Sequence, residues 1–369
     1  MLRRLTLGLF TLACAAAIAA CSSGTSVPSS GGVQGVGPNF VTNTIYVSDT
    51  THNAIELYTP SPNASATPQY NIGGANTSLN GPSYMAFNST TQLYVTNYNP
   101  STKASALTAY QKFATGDVLP VANSAFAAGA QPHGIAMVPG GVGFAIAFTQ
   151  PGGFFTSAIN VYSGLTGSSA FLSNTIAGAN THLNNPVGLA VDSNKNIYVA
   201  NSGDSTVRVF ALPSASPAPS VSPTVTPSPT PTPSTSPSTS PSPTPTPASN
   251  DIAPTTTITC TCFSLPTGLG LDSKGDVFVT DPGSKPPAVY EFDVTQIVPG
   301  TVALTPLRTL TASNMVNPTD VKIDAAGTVY VIDQGISPSM GKLFVFPSGG
   351  GAPTVIPLLG TATGMALSP

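Results

Sequence analysis

One phrase recurs along this chain: a turn, an apolar strand, a tight turn near Asp, then a second strand ending in Asp or Asn. It reads Pro186-Val-Gly-Leu-Ala-Val-Asp192 with Asn196-Ile-Tyr-Val-Ala-Asn201. It returns as Pro266-Thr-Gly-Leu-Gly-Leu-Asp272 with Asp276-Val-Phe-Val-Thr-Asp281, and as Pro318-Thr-Asp-Val-Lys-Ile-Asp324 with Thr328-Val-Tyr-Val-Ile-Asp333. Weaker copies begin at Pro82 and Pro132. A third alternating segment follows each copy, as in Leu107-Thr-Ala-Tyr110, Val207-Arg-Val-Phe210 and Leu343-Phe-Val-Phe346, and a more variable fourth leads on. Alternation at period two, with β-branched and aromatic residues, makes these strands. Stacked units of this kind bury their faces only against one another.

The spacing between the prolines is 50, 54, 80 and 52 residues, the long interval holding an insertion. The two ends complement each other. Residues 43–58 supply a second and a third strand with no first, and Thr363-Gly-Met-Ala-Leu-Ser368 is a first strand with nothing after it. Pairing them completes a sixth unit and removes the open edges of an array. The expected fold is all-β: a six-bladed β-propeller with four-stranded blades. The phrases Gly-x-Leu-Ala-Val-Asp and Ile-Tyr-Val-Ala-Asn resemble the NHL repeat, and the resemblance covers residues 40–369.

Charged residues make up 7% of the chain, against about 25% in an average soluble domain. Net charge is −3, and without Arg3 and Arg4 the chain carries 9 basic against 14 acidic residues. There is no basic run after those two. Neutralising a phosphate backbone needs clustered Lys and Arg, so nucleic acid is an unfavourable partner.

Residues 1–20 read as an export signal: Arg3 and Arg4, then an apolar run from Leu5 to Ala20. The run ends Ile18-Ala-Ala-Cys21, which resembles the lipobox of bacterial lipoproteins. That resemblance implies lipidation of Cys21, export, and attachment to the outer membrane or cell surface. Two or more acyl chains make such attachment stable. Residues 21–40, Ser/Gly-rich and uncharged, read as a flexible tether. The propeller is expected over 41–369, interrupted at 213–254 by a Pro/Ser/Thr-rich loop too poor in apolar residues to order itself. Thr255-Thr-Thr-Ile258 reads as the fourth strand of the interrupted blade.

Strand parity places tether and loop on one face. The other face collects the ends of second strands and the starts of first strands, and with them His52, His133, His182, Asp281, Asp320 and Asp333, the candidate ligand residues. Gluconolactonase-like propellers hold a divalent metal at the channel mouth with Glu, Asn and Asp, but here Glu56 and Glu291 fall on third strands. Streptogramin-lyase-like propellers use His near a Pro-His-Gly phrase, and Gln131-Pro-His133-Gly is similar. No catalytic, cofactor or metal set is assigned. The expected role is a monomeric binding scaffold for a protein, peptide or glycan, with a lactonase-like or lyase-like enzyme as the alternative. Asp192, Asp272 and Asp324 recur at strand-to-strand turns, where Asp accepts backbone N–H groups two residues on. On an extended strand Cys260 and Cys262 would point to opposite faces, and their state is left open.

Overall fold

In the computed structural model, residues 42–60, 62–88, 91–140, 143–149, 157–212, 249–336 and 340–369 are described, all within the compact unit Gly35–Pro369. The signal, Cys21, the tether and residues 213–248 of the loop lie outside them.

Second strands are apolar on both sides because each blade is covered on both sides. Every residue of Ile45–Asp49, Val277–Asp281 and Val329–Asp333 is buried. In Asn196–Asn201, Ile197 and Val199 pack towards blade 3, while Tyr198 and Ala200 pack towards blade 5. Six apolar clusters result among the described residues, one at each blade interface. Each buried Val, Ile, Leu or Phe contributes about 1.5–3 kcal/mol.

The fold is the expected six-bladed propeller, one antiparallel sheet to a blade. From the channel outwards, blade 2 runs Pro82–Phe87, Gln92–Tyr98, Ser105–Gln111 and Ala122–Ala125. Blades 3 to 6 begin at Gln131–Met137, Pro186–Val191, Leu269–Leu271 and Pro318–Ile323. Blade 1 joins the two ends of the chain. Met365–Leu367 pairs antiparallel with Ile45–Asp49, in the register Ile45↔Leu367 and Val47↔Met365. The amides of Asn43 and Ser48 donate to the carbonyls of Ser368 and Gly364.

The inner strands converge tightly at the glycine two residues after the repeat's proline, or at its counterpart Gly364 in blade 1. A methyl group added to Gly134 or Gly268 would lie 2.6 Å from the carbonyl oxygen of Val187 or Thr319 in the next blade. Gly188 and Gly364 are confined in the same way, and only Tyr84 and Asp320 interrupt the series.

Four blades have their outer edge covered. The connector between third and fourth strands of one blade lies parallel to the outer strand of the blade before it. Gly116 bridges Ile72, Gly167 bridges Ala122, Ser249–Asn250 pairs with Thr175–Ile176, and Gly300–Ala303 pairs with Thr256–Thr259. Covering an edge in this way removes unpaired donors and acceptors. The Pro-rich insertion therefore enlarges one of four equivalent connectors. Its expected boundary at 254 needs correction, because Ser249–Asn250 already pairs with blade 3 and the fourth strand is Thr256–Thr259.

The sister loops beginning at Gly74 and Gly178 are held alike. Asp117 accepts from the backbone and side-chain amides of Asn76 (2.7 and 2.9 Å), and Asp251 from those of Asn180 (2.8 and 3.2 Å). Cys260 and Cys262 are disulfide-bonded. The strand stops at Thr259, and a turn closed by Phe263 N–H on the Cys260 carbonyl (3.1 Å) brings the sulfurs together, so the extended geometry does not apply.

Candidate functional site: the mouths of the channel

The inner strands surround a channel with a cavity at each end. Where those strands begin, on the face opposite the connectors between third and fourth strands, a cavity of about 480 Å3 is lined by Ser83, Tyr84, His133 and Thr363. Thr50, Asn53 and Asn99 reach it from the turns between second and third strands, with Tyr98 and Gln334 beside them. None of its lining residues carries a carboxylate, an ammonium or a guanidinium group. Hydroxyl groups tie the rim together: Thr267 donates to the Pro318 carbonyl at 3.0 Å and Thr319 to that of Thr363 at 2.8 Å.

His133 sits on this rim, its Nε2 3.0 Å from Thr149 Oγ1. Burial pushes its pKa down to about 4, so the ring is neutral at pH 7. The hydroxyl of Tyr98 is buried without a hydrogen-bond partner. A buried hydroxyl left unpaired costs about 1–3 kcal/mol.

The other candidate residues sit elsewhere. Asp281 is fully buried and accepts the amides of Ser264 (2.7 Å), Leu265 (2.9 Å), Gly283 (2.9 Å) and Ser284 (3.0 Å). Asp333 accepts those of Val316 (2.6 Å), Asn317 (3.2 Å) and Gly335 (2.8 Å). Asn201 follows the same plan, with Asn184 N–H on its Oδ1 at 2.7 Å and its Nδ2 on the His182 carbonyl at 3.0 Å. These groups clamp the loop leading into their own blade. Both oxygens of each aspartate are engaged.

His52 is exposed and meets Asp49 Oδ2 at 2.6 Å, and His182 ends a short 3-10 turn with an exposed ring. Asp320 is buried in the channel wall instead of on the face. Its Oδ1 takes Lys322 Nζ (2.6 Å) and Val321 N–H (2.9 Å), and its Oδ2 takes Met365 N–H (2.9 Å). Burial raises its pKa and the Lys322 ammonium opposes that rise. Glu56, buried in a third strand, accepts from the Tyr58 hydroxyl at 2.8 Å, and Glu291 is paired with Arg308 at 2.6 Å. Among the described residues, no three His, Cys, Asp or Glu side chains come together as a metal would need.

Asp192, Asp272 and Asp324 do cap their turns. Asp192 accepts Asn196 N–H at 2.8 Å, and Asp272 and Asp324 accept Asp276 and Thr328 N–H, each at 2.9 Å.

The NHL repeat model matches residues 183–210, which hold the first three strands of blade 4. The chain is a six-bladed β-propeller that carries an NHL repeat in its fourth blade. No curated protein matches it in sequence. Among solved structures it is similar to a protein of unknown function from Bacteroides caccae, at 10% identity and TM-score 0.55, over 89% of this chain and 99% of that one. It is also similar to a gluconolactonase from Xanthomonas campestris (14% identity, TM-score 0.44, 90% and 91% covered). A third is a virginiamycin B lyase from Staphylococcus aureus (11%, 0.44, 83% and 78%). The first is a likeness of fold, and the other two are too distant to argue chemistry from.

Sequence reading of this propeller found His133 but missed Thr50, Asn53, Tyr98, Asn99, Gln334 and Thr363. Five exposed apolar side chains on the same face were also missed: Leu265, Val316, Ile336, Met340 and Leu359, all in loops of the sectors around blades 5, 6 and 1.

Proposed function

We propose that this propeller is an exported, lipid-anchored binding scaffold that engages an uncharged polar partner, a peptide segment or a glycan, at the outward mouth of its channel. The observation that carries this reading is the make-up of the mouth: amide, hydroxyl and neutral imidazole groups line it without a formal charge. Such groups recognise peptide amides and sugar hydroxyls through hydrogen bonds. The exposed apolar loops beside it supply contact area of the kind that marks interaction surfaces. The carboxylates of the face clamp their own loops, and none of them lines the mouth. The anchor is the lipidated Cys21, and tether and loop leave from the opposite face.

The test is retention of envelope components by the detergent-solubilised full chain, compared with a Tyr98→Phe, Asn99→Ala, Gln334→Ala triple variant. The reading expects a component held by the parent and released by the variant. Retention unaffected by the variant would contradict it. Stoichiometric divalent metal in the purified protein, lost on His133→Ala, would favour an enzyme instead.

A further inference from the structure

The opposite end of the channel, where the inner strands finish, holds a second cavity of about 390 Å3, a size typical of small-molecule sites. Its walls repeat blade by blade. The last paired residue of each inner strand is apolar: Phe87, Met137, Val191, Leu271, Ile323 and Leu367. All six line the cavity, and all are half-buried. One residue deeper the positions are Ala86, Ala136, Ala190, Gly270 and Ala366, and in blade 6 Lys322. A lip of large side chains thus surrounds a socket of small ones, into which one blade sends an ammonium group.

Lys322 is not a solvated surface lysine. Its Nζ donates to Asp320 Oδ1 at 2.6 Å and to the Val321 carbonyl at 3.3 Å, two of its three N–H donors. Asp320 itself sits one step deeper still, fixed by two backbone amides. The cavity therefore offers apolar walls and one uncommitted donor at depth, with its charge partly balanced. A phosphate or sulfate head would need a second cation, and no other basic residue lines the cavity. A bulky polar ligand would leave its own groups unpaired against Ala, Leu and Val.

We infer that this inner mouth is a binding site for a single-chain fatty acid, its carboxylate on Lys322 and its alkyl chain running out past the ring of six apolar side chains. This site is separate from the outward mouth and its occupation does not depend on the partner proposed there. Each buried methylene tightens binding about fourfold, so affinity rises with chain length until the tail clears the lip.

The test is calorimetric titration of the full chain carrying Cys21→Ala, without detergent, using decanoate, decanol and decyltrimethylammonium below their micelle concentrations. One decanoate per chain is expected, with decanol about tenfold weaker and the cationic amphiphile without saturable binding. Val191→Trp, which closes the lip over the socket and keeps the ion pair, removes decanoate binding. Asp320→Asn with Lys322→Met, which leaves no buried charge unpaired, brings decanoate down to the level of decanol. The inference is overturned if decanoate shows no saturable binding, if the cationic amphiphile matches it, or if Val191→Trp binds as the parent does.

Discussion

Where the inner strands begin, the channel presents hydroxyls, amides and a neutral imidazole; where they end, it presents six apolar side chains and one buried ion pair. The same six strands build both ends, so position along the strand decides the chemistry. At the start, each strand lies against the backbone of its neighbour, and Ser or Thr hydroxyls find carbonyls across the blade boundary, as Thr319 does with Thr363. At the finish, side chains pack between blades and spill over into the cavity, so apolar residues recur. Carboxylates divide along the same line. On the outward face Asp281 and Asp333 hold loops, whereas deep in the channel Asp320 holds a lysine.

The largest test of this contrast is at Asp320. Asp320→Ala leaves the Lys322 ammonium unpaired in the channel wall and is expected to lower stability by about 3–5 kcal/mol. Asp320→Asn combined with Lys322→Met, which removes the ammonium and keeps an acceptor for the Met365 amide, recovers part of that loss, measured by urea unfolding at pH 7. Next comes Asp333→Ala, which strands three backbone amides and is expected to cost about 3 kcal/mol in the same assay. His182→Ala, on the same face but exposed, changes stability by less than about 0.5 kcal/mol. A similar small effect for both would remove the clamp role.

Titration separates two further groups beneath the outward mouth. Burial, opposed by the Tyr58 hydrogen bond and assisted by Asp49, raises the Glu56 pKa from 4.5 to about 7. Between those values the folded protein holds a proton that the unfolded chain has lost, so stability falls as pH rises from 4.5 to 7. Glu56→Gln removes that slope and gains roughly 1–3 kcal/mol at pH 8 relative to the parent. His133 has the opposite sign. Its folded pKa lies near 4, below the ordinary 6.5, so stability drops as pH falls through that window. His133→Gln flattens the acid limb by about 1 kcal/mol, a modest effect because the ring is partly open to the cavity. Binding at the mouth is expected to hold constant from pH 5.5 to 8, since the imidazole stays neutral throughout.

The blades and their closure were legible because the repeat carries its own alignment. Pro186 to Asp192 and Pro318 to Asp324 name the same turns, and the unpaired ends at Ile45 and Met365 had one economical solution. Turn aspartates were legible for the same local reason. The mouths were not. Whether Asp320 faces solvent or a neighbouring lysine depends on how six inner strands converge, which no single repeat states. Aligning the repeats would have marked Lys322 as the one long residue in a column of Ala and Gly, and Asp320 and Tyr84 as interruptions in a column of glycines. The turn at Cys260–Cys262 escaped because the strand stops at Thr259, so the extended geometry assumed for the two cysteines is never reached.

The most direct measurement is photo-cross-linking on intact cells, with p-benzoylphenylalanine placed at Asn99 on the rim of the polar mouth or at Phe171 on the outer strand of blade 3, which is half-exposed. A partner adduct from position 99 and none from 171 is the predicted outcome. An adduct from 171 alone, or from neither position, would contradict binding at the outward mouth.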